Sequence, residues 1–375
     1  METSHTDKKT KAAALIYGPE AHHIDHLVPL CFLLDIPLFV TDEDILHSCK
    51  NFYPAFDIRY KNANEIGHHL VQNFSVIFSC MPRDLFDEIF FFSQKLHGKR
   101  LHTIWCPHGN SDKGHTTYYM EALRKEKVAL VYGGKMIDFL KEKDAFRQLI
   151  RPIEMGNIRL PFYKKHFLFF KELLQKHSKK KLVGGAKTIL YAPTWQDYES
   201  SSSFFDATEL LIKNLPSTFQ LIIKIHPNLL LGNSYKVQSL LWKYEEQDRV
   251  LFLTDFPPIY PILDLVDIYV GDMSSIGYDF LSFDKPLYFF NQNGKNPQVD
   301  KGLYLFRCGR FLQREEYANF YNMLLTHYEQ DRSLFSDFRK EVYTYTFGTE
   351  KDSSLLKKEI EDSYNCFPED DLNFF

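Results

Sequence analysis

The sequence predicts an α/β protein with two mostly parallel β-sheets, each covered by helices on both faces. Short apolar runs alternate along the chain with longer amphipathic runs, which is the pattern of βαβ units. The alternation stops near residue 161, passes through a basic, helix-like segment and resumes near residue 187. A chain of 375 residues is also too long for one typical hydrophobic core, which favours two domains.

The first half of the chain predicts one Rossmann-like domain, at residues 1–160. Its apolar runs predict strands, and the amphipathic runs between them predict helices. The predicted strands lie at 13–18, 36–41, 75–80, 101–109 and 128–133. The predicted helices lie at 20–35, 84–96 and 136–142.

The second half predicts another domain of the same kind, at residues 187–330, after a basic linker helix at 161–186. Strands are predicted at 187–194, 219–227, 249–255 and 286–291, helices at 205–215 and 235–245, and the run 259–275 continues the alternation. Residues 331–375 are predicted to form C-terminal helices that pack back on the first domain.

Composition restricts the class of partner and the compartment. The net charge of −4 gives no global signal for nucleic acid, so an anion site must be local. The six cysteines are scattered without a CxxC pair, which is typical of reduced thiols. The polar start lacks the apolar region of a signal peptide, and no run reaches the roughly 18 to 20 apolar residues of a membrane span. We expect a cytoplasmic protein.

Polar residues at strand ends are the first candidates for a site, because ligands of open α/β sheets bind outside the carboxyl ends of the strands. The stretch CPHGNSDKG, 106–114, follows an apolar strand, and its turn holds His108 and Gly109 at the rim of the sheet. Lys113 is placed to neutralise an anion. The alternatives are a structural turn histidine and a solvated lysine.

A second strand end carries Thr194, in the stretch YAPTWQD. Its hydroxyl and the neighbouring backbone N–H groups are expected to meet phosphate. The alternative is an ordinary turn between strand and helix.

A third strand end is IIKIHPN, where Pro227 stops an apolar strand directly after His226. We expect Lys224 and a protonated His226 to offset negative charge on a ligand. The alternative is a rim histidine whose hydrogen bonds are satisfied within the protein.

The fourth strand end is VGDMSSIGYDF, with Asp272 after the strand and Ser274 and Ser275 at a predicted helix start. Hydroxyls and free N–H groups at a helix N-terminus form an anion site. Plain N-capping by Asp272 or Ser274 explains the same residues equally well.

In this order the four motifs resemble the CDP-glycerol glycerophosphotransferase family, the teichoic-acid-polymerase-like enzymes with a GT-B fold. The resemblance covers roughly residues 102–306, including PLYFFNQN…DKGLYLF at 286–306. The sequence departs from the family pattern at NSDKG, residues 110–114, at Gln196 and at Met273.

The resemblance implies a transferase whose two Rossmann-like domains face each other across a cleft. It implies His108 as the catalytic base, His226 facing the donor phosphates, Ser274 and Ser275 holding the diphosphate, and Asp272 bracing their loop. It also implies a CDP-linked donor, a lipid-linked or glycan acceptor, and no metal or other cofactor. Alternatives are a transferase for a UDP-, GDP- or CMP-sugar, a sugar-nucleotide 2-epimerase, and a non-catalytic nucleotide-binding module.

Three further features are weighed beside these motifs. The histidines His22, His23 and His26 are expected on the acceptor side of the cleft, together with Gly109 and Lys113, although the spacing of the three histidines also suits a metal. The acidic run 42–44 is interpreted as a helix N-terminus rather than a metal site. Aromatic and lysine side chains at 161–181 suit peripheral docking on an anionic bilayer, or a linker helix with its phenylalanines packed inward.

Overall fold

The first parallel sheet has seven strands. The computed structural model describes residues 11–113, 123–146, 149, 151–178, 182–197 and 199–367. The strands stand in the order β3-β2-β1-β4-β5-β6-β7. Their bounds are β1 Ala12–Ile16, β2 Leu38–Val40, β3 Ile58–Tyr60, β4 Val76–Ser79, β5 His102–Trp105, β6 Val128–Val131 and β7 Arg151–Glu154. The helices of this domain are α1 Ile24–Leu34, α2 Glu43–Phe52, α3 Ala63–Asn73, α4 Arg83–His97 and α5 Gly134–Glu142.

Two helices, α6 Arg159–Lys165 and α7 Phe167–Ser178, lie between the sheets along the chain. In this predicted linker region Phe162 and Phe170 are buried, as expected for an inward-packed helix. Leu168 and Phe169 are 73% and 38% exposed beside solvated lysines. The lysines at 179–181, which belong to the predicted basic segment, lie outside the described residues.

The second parallel sheet has six strands in the order β10-β9-β8-β11-β12-β13. Its strands are β8 Lys187–Ala192, β9 Phe219–Lys224, β10 Val250–Leu253, β11 Ile268–Gly271, β12 Leu287–Asn291 and β13 Arg310–Gln313. Its helices are α8 Phe204–Lys213, α9 Pro227–Tyr244, α10 Tyr260–Leu265, α11 Ile276–Phe280 and α12 Phe320–His327. Two more helices follow, α13 Asp331–Phe347 and α14 Ser353–Asp362.

Both sheets are buried on both faces, which is the usual state of parallel sheets. In β1 all five residues are buried, and alternate side chains point to opposite cores. Ala13 and Leu15 pack with Phe39 and Ile77 under α3 and α4. Ala12, Ala14 and Ile16 belong to the other core, which continues into the second domain.

In each sheet the strand order reverses once, between β1 and β4 and between β8 and β11. Such a reversal opens a crevice at the carboxyl ends of the two strands, which is where α/β proteins bind ligands. The fold therefore offers two crevices, one in each domain.

The acidic run 42–44 begins α2, as the sequence indicates. The Asp42 carboxylate accepts hydrogen bonds from the backbone N–H groups of Asp44 and Ile45, at 2.9 and 3.0 Å. Asp42 is therefore a helix N-cap.

A buried ion pair network joins the two domains. Arg159, at the start of α6, contacts Asp25 of the first domain at 3.2 Å and Asp279 of the second at 2.5 Å. Burial raises the pKa of Asp25 to about 6, while Arg159 opposes that rise. The guanidinium of Arg159 thus lies between two buried carboxylates, one from each domain.

The helices after the second sheet return to the first domain. Near the end of α13 the Tyr345 hydroxyl donates to Asp138 of α5, at 2.8 Å. After α14 the Phe367 ring stacks on His102 of β5, with 4.5 Å between the ring centroids. Within the described part of the chain, none of the helices combines the length and apolarity needed to cross a bilayer.

Candidate functional site

The predicted site residues of the two domains meet between the two crevices. The imidazole centroid of His108 lies 5.2 Å from that of His22 and 4.8 Å from that of His23. His22 also lies 6.3 Å from His226 of the second domain. Histidines that follow β1, β5 and β9 therefore share one cluster across the cleft.

The loop after β5 holds His108 through its backbone. The Tyr132 hydroxyl donates to the Pro107 carbonyl at 3.2 Å, and the ring nitrogen Nδ1 of His26 lies 2.7 Å from the same hydroxyl. His26, predicted on the acceptor side, therefore contacts Tyr132 beneath the loop. Through the Tyr132 hydroxyl, His26 supports the loop that carries His108.

The surroundings of the His108 ring favour its neutral form. Burial, with a smaller contribution from the nearby His22, lowers the pKa of His108 to about 3. Its Nδ1 atom is buried without a hydrogen-bond partner among the described residues. A bound anion would raise this pKa again, because negative charge favours the imidazolium form.

Gly109 lets the two domains touch next to His108. Its φ of +136° lies in a region that L side chains rarely adopt, and a Cβ there would lie 2.7 Å from the Ser275 hydroxyl oxygen. Only glycine permits this approach of the first domain to the Ser275 side chain.

The same loop is fixed to the second domain by Asp112, which the sequence reasoning missed. Its carboxylate accepts from the Tyr278 hydroxyl at 2.6 Å and from the Leu305 backbone N–H at 3.0 Å. Lys135 lies 2.8 Å from it. A loop aspartate gives no local signal that it will be buried, because its partners are distant in the sequence.

Lys113 also bridges the domains and is largely withdrawn from solvent. Its ammonium lies 2.6 Å from Asp197, donates to the Thr194 hydroxyl, and sits 5.3 Å from the Trp195 ring centroid. The Thr194 N–H donates to Asp272 at 2.7 Å. Both Thr194 groups that were expected to face phosphate are thus engaged by protein atoms in this structure.

Asp272 is a buried brace rather than a cleft residue. Besides Thr194, it accepts from the backbone N–H and hydroxyl of Ser203, both at 2.8 Å. Burial raises its pKa to about 6, and these hydrogen bonds oppose the rise. It therefore braces the loops at 194 and 203, whereas the resemblance implied the loop of Ser274 and Ser275.

Only one of the two predicted serines faces the cleft. Ser274 is 6% exposed, whereas Ser275 is half-buried and contacts Gly109. Ser275 precedes α11 and makes no side-chain capping bond to it. Because α11 has five residues, its dipole is smaller than that of a long helix.

His226 is both an N-cap and a cleft residue. Its Nδ1 accepts a hydrogen bond from the Asn228 backbone N–H at 3.1 Å, and Pro227 follows at the first position of α9. Burial, together with smaller contributions from His22 and Lys113, lowers its pKa to about 3. The expected protonated form is therefore not supported, since Nδ1 serves as an acceptor; a neutral ring with its proton on Nε2 fits instead.

The Lys224 ammonium group, which was expected to face a ligand, is hydrogen-bonded within the protein. It donates to the Phe256 carbonyl at 3.0 Å, and burial lowers its pKa to about 8. Its charge still acts on His226, whose pKa it lowers. The contact of Lys224 with a donor phosphate stays a prediction.

The second half of the chain matches a known family. The profile described as CDP-Glycerol:Poly(glycerophosphate) glycerophosphotransferase matches residues 171–346. The teichoic acid glycerol-phosphate primase of Bacillus subtilis is 29% identical over 136 residues, 36% of this chain and 33% of the primase. The primase of Bacillus spizizenii is 26% identical over 127 residues, 34% of this chain and 31% of its own length. The matches span about a third of these curated relatives.

Solved structures share the two-domain architecture over nearly the whole chain. The wall teichoic acid polymerase TagF has a TM-score of 0.63 at 14% identity, covering 96% of this chain and 88% of TagF. HepE of Anabaena, solved in complex with UDP-glucose, has a TM-score of 0.57 at 11% identity, covering 95% and 100%. At these identities the likeness establishes the fold. The predicted GT-B fold and the family resemblance are thus confirmed: residues 171–346 match the profile of the CDP-glycerol:poly(glycerophosphate) glycerophosphotransferases, and the two-domain fold is similar to that of TagF.

Proposed function

We propose that this chain transfers glycerol phosphate, or a similar polyol phosphate, from a CDP-activated donor to a hydroxyl group of a lipid-linked or glycan acceptor. One observation carries the proposal: His108 of the first domain and His226 of the second converge on His22 in the cleft. The family profile over residues 171–346 supports the choice of a CDP-linked donor.

In the proposed reaction the acceptor oxygen attacks the phosphorus that bears the glycerol group. A new P–O bond forms, the P–O bond to the bridging oxygen of the diphosphate breaks, and CMP leaves with the electron pair. Neutral His108 takes the proton of the attacking hydroxyl. His226 donates a hydrogen bond from Nε2 to the diphosphate, because its Nδ1 is held as an acceptor by Asn228.

Binding of the donor would prepare the base. The cleft is filled with imidazoles that burial keeps neutral, so a bound diphosphate meets N–H donors rather than several fixed cations. The negative charge of the donor raises the pKa of His108 towards the range where proton acceptance is efficient. We expect no metal or other cofactor in this step.

The proposal is tested by measuring CMP release from CDP-glycerol with a hydroxyl acceptor. His108→Ala should lower turnover on the order of 10² to 10⁴-fold, the usual contribution of a general base. The variant should still bind the donor, and the shift of its thermal midpoint on adding CDP-glycerol measures this binding. The control is His47→Ala, since His47 is exposed on α2. Unchanged turnover in His108→Ala, or no release of CMP by the parent protein, would refute the proposal.

A sugar transferase is the second candidate, because HepE, with the same fold, was solved with UDP-glucose. Parallel assays with CDP-glycerol and UDP-glucose separate the two. Turnover of UDP-glucose without turnover of CDP-glycerol would favour this second function.

For a lipid-linked acceptor we propose peripheral contact with an anionic bilayer through α6 and α7. Exposed Leu168 and Phe169 lie among the exposed lysines Lys164, Lys165 and Lys171, a combination suited to anionic headgroups. Co-sedimentation with phosphatidylglycerol vesicles should fall several-fold in the variant Leu168→Ser/Phe169→Ser. Phosphatidylcholine vesicles are the control, and equal sedimentation with both lipids would contradict this contact.

A further inference from the structure

Three histidines of the cleft form a cluster with ligand geometry for a metal. His22 and His23 lie in the turn after β1, and His108 lies in the loop after β5. Ring nitrogens of the three residues all lie within 4.8 Å of one another. Imidazole nitrogen is a preferred ligand of Zn²⁺.

The cluster contains nitrogen atoms that the protein leaves unsatisfied. Within the described residues, Nδ1 of His23 and Nδ1 of His108 are buried and have no hydrogen-bond partner. Burying a polar atom without a hydrogen-bond partner is unfavourable, and a ligand bound at this place would relieve that cost. By contrast, Nδ1 of His26 contacts Tyr132 and Nδ1 of His226 accepts from Asn228.

His22 has a carboxylate beside one of its two ring nitrogens. Its Nδ1 lies 3.4 Å from a carboxylate oxygen of Glu20, which leaves Nε2 available. A carboxylate behind the second nitrogen commonly fixes the ring of a metal-binding histidine. Glu20 is therefore the expected outer partner of His22.

We propose that Zn²⁺ binds to His22, His23 and His108 and inhibits the transferase. Three protein nitrogens and one open position are the pattern of an accessible zinc site. Bonds of about 2.0 to 2.1 Å place tetrahedral ligands about 3.4 Å apart, so ring nitrogens that are now within 4.8 Å need to approach one another by up to about 1.4 Å. The inhibition rests on the proposed function. A metal bound to His108 would occupy the nitrogen lone pair that is needed to take the proton from the acceptor hydroxyl group.

Binding is measured on the metal-stripped full chain, without any donor. Zn²⁺ is titrated in competition with a chromophoric chelator, and Co²⁺ is followed by its visible absorption. One ion per chain is expected, and Glu20→Gln should weaken binding by about 10 to 100-fold. His23→Ala, which loses a direct ligand, should weaken it at least as much. Circular dichroism establishes that the variants are folded.

His97→Ala is the matched control. His97 and His68 form an exposed pair whose ring nitrogens are 3.1 Å apart, so this pair could bind an ion away from the cleft. This variant should bind Zn²⁺ as the parent does. Equal affinity in the parent and His23→Ala, or loss of binding in His97→Ala, would overturn the metal site.

Inhibition is measured by CMP release from CDP-glycerol across a Zn²⁺ titration. Turnover of the parent should fall as the site fills and return on adding EDTA. In Glu20→Gln the half-inhibiting Zn²⁺ concentration should rise by the same factor as the dissociation constant. Full turnover with the site occupied would overturn the inhibitory role. If no CDP donor is turned over at all, the inhibitory role fails with the proposed function, whereas the binding experiment decides the metal site independently.

Discussion

Glu126 is a single buried carboxyl group that should make stability depend on pH. It accepts a hydrogen bond from the Arg83 backbone N–H at 2.7 Å, yet burial raises its pKa from 4.5 to about 8. The folded state therefore binds the proton more tightly than the unfolded state between these two values. Stability from this residue is present at low pH and is lost as pH rises.

We expect the free energy of unfolding to fall by up to about 1.4 kcal/mol per pH unit through Glu126 over that window. Glu126→Gln should remove this contribution, because the amide does not titrate. Urea denaturation at several pH values measures the free energy of unfolding of both proteins. The difference between the two free energies isolates Glu126, because other buried carboxyl groups, such as Asp25 and Asp272, contribute equally to both. A difference that stays constant with pH would contradict the expectation.

Tyr132 is a positioning residue at the same scale. Tyr132→Phe removes the donor to the Pro107 carbonyl and the partner of His26. A loosened loop misplaces His108, so we expect kcat for CDP-glycerol to fall about tenfold while KM changes little. Steady-state kinetics measure both constants. Tyr235→Phe, on an 81% exposed side chain, is the control, and a change confined to KM would argue against this role.

At the scale of elements, the loop after β5 depends on its contact with the segment before α11. Gly109→Ala adds a Cβ that meets Ser275 and strains a φ of +136°. We expect at least a tenfold loss of turnover and a lower thermal midpoint, with partial recovery when Ser275→Gly is added. Gly98→Ala separates backbone strain from the clash with Ser275. Gly98 also has a positive φ, +58°, but a Cβ added there would meet open space. If Gly109→Ala and Gly98→Ala lowered turnover and the thermal midpoint equally, backbone strain alone would explain the loss, and the contact with Ser275 would not matter.

The sequence predicts elements well where both faces of a strand are buried. The apolar runs around β1, β4, β6 and β9 stand out because each lies inside a sheet. The prediction left out β3, β7 and β13, whose residues are mostly polar or partly exposed at the sheet edges. These three edge strands lack the continuous apolar pattern that identifies central ones.

The site shows the same division between local and distant information. Motif order predicted His108, His226 and Ser275 because each directly follows a strand. Arg159 and Asp112 were missed, since their partners lie more than a hundred residues away along the chain for most of their contacts. The neutral state of His226 also depends on its three-dimensional surroundings.

At the scale of the molecule, Arg159 holds the two domains together between Asp25 and Asp279. Arg159→Met leaves two buried carboxylates without their cation and should cost about 3 to 5 kcal/mol of unfolding free energy. Adding Asp25→Asn and Asp279→Asn should recover part of that loss. Urea denaturation provides the measurement.

The control for this network is Arg59→Met, which breaks a half-exposed pair with Asp57. Exposed pairs contribute less than about 1 kcal/mol. A loss in Arg159→Met no larger than in this control would contradict a structural role for the buried network.

The stacking of Phe367 on His102 has a consequence for synthesis on the ribosome. β5 leads into the loop that carries His108, yet Phe367, which packs on this strand, is translated only after the entire second sheet. The first domain therefore cannot complete its packing while it leaves the ribosome. A nascent chain that contains only this domain leaves the surface normally covered by Phe367 exposed. The packing of β5 is therefore complete only once the segment that follows α14 has docked on the first domain.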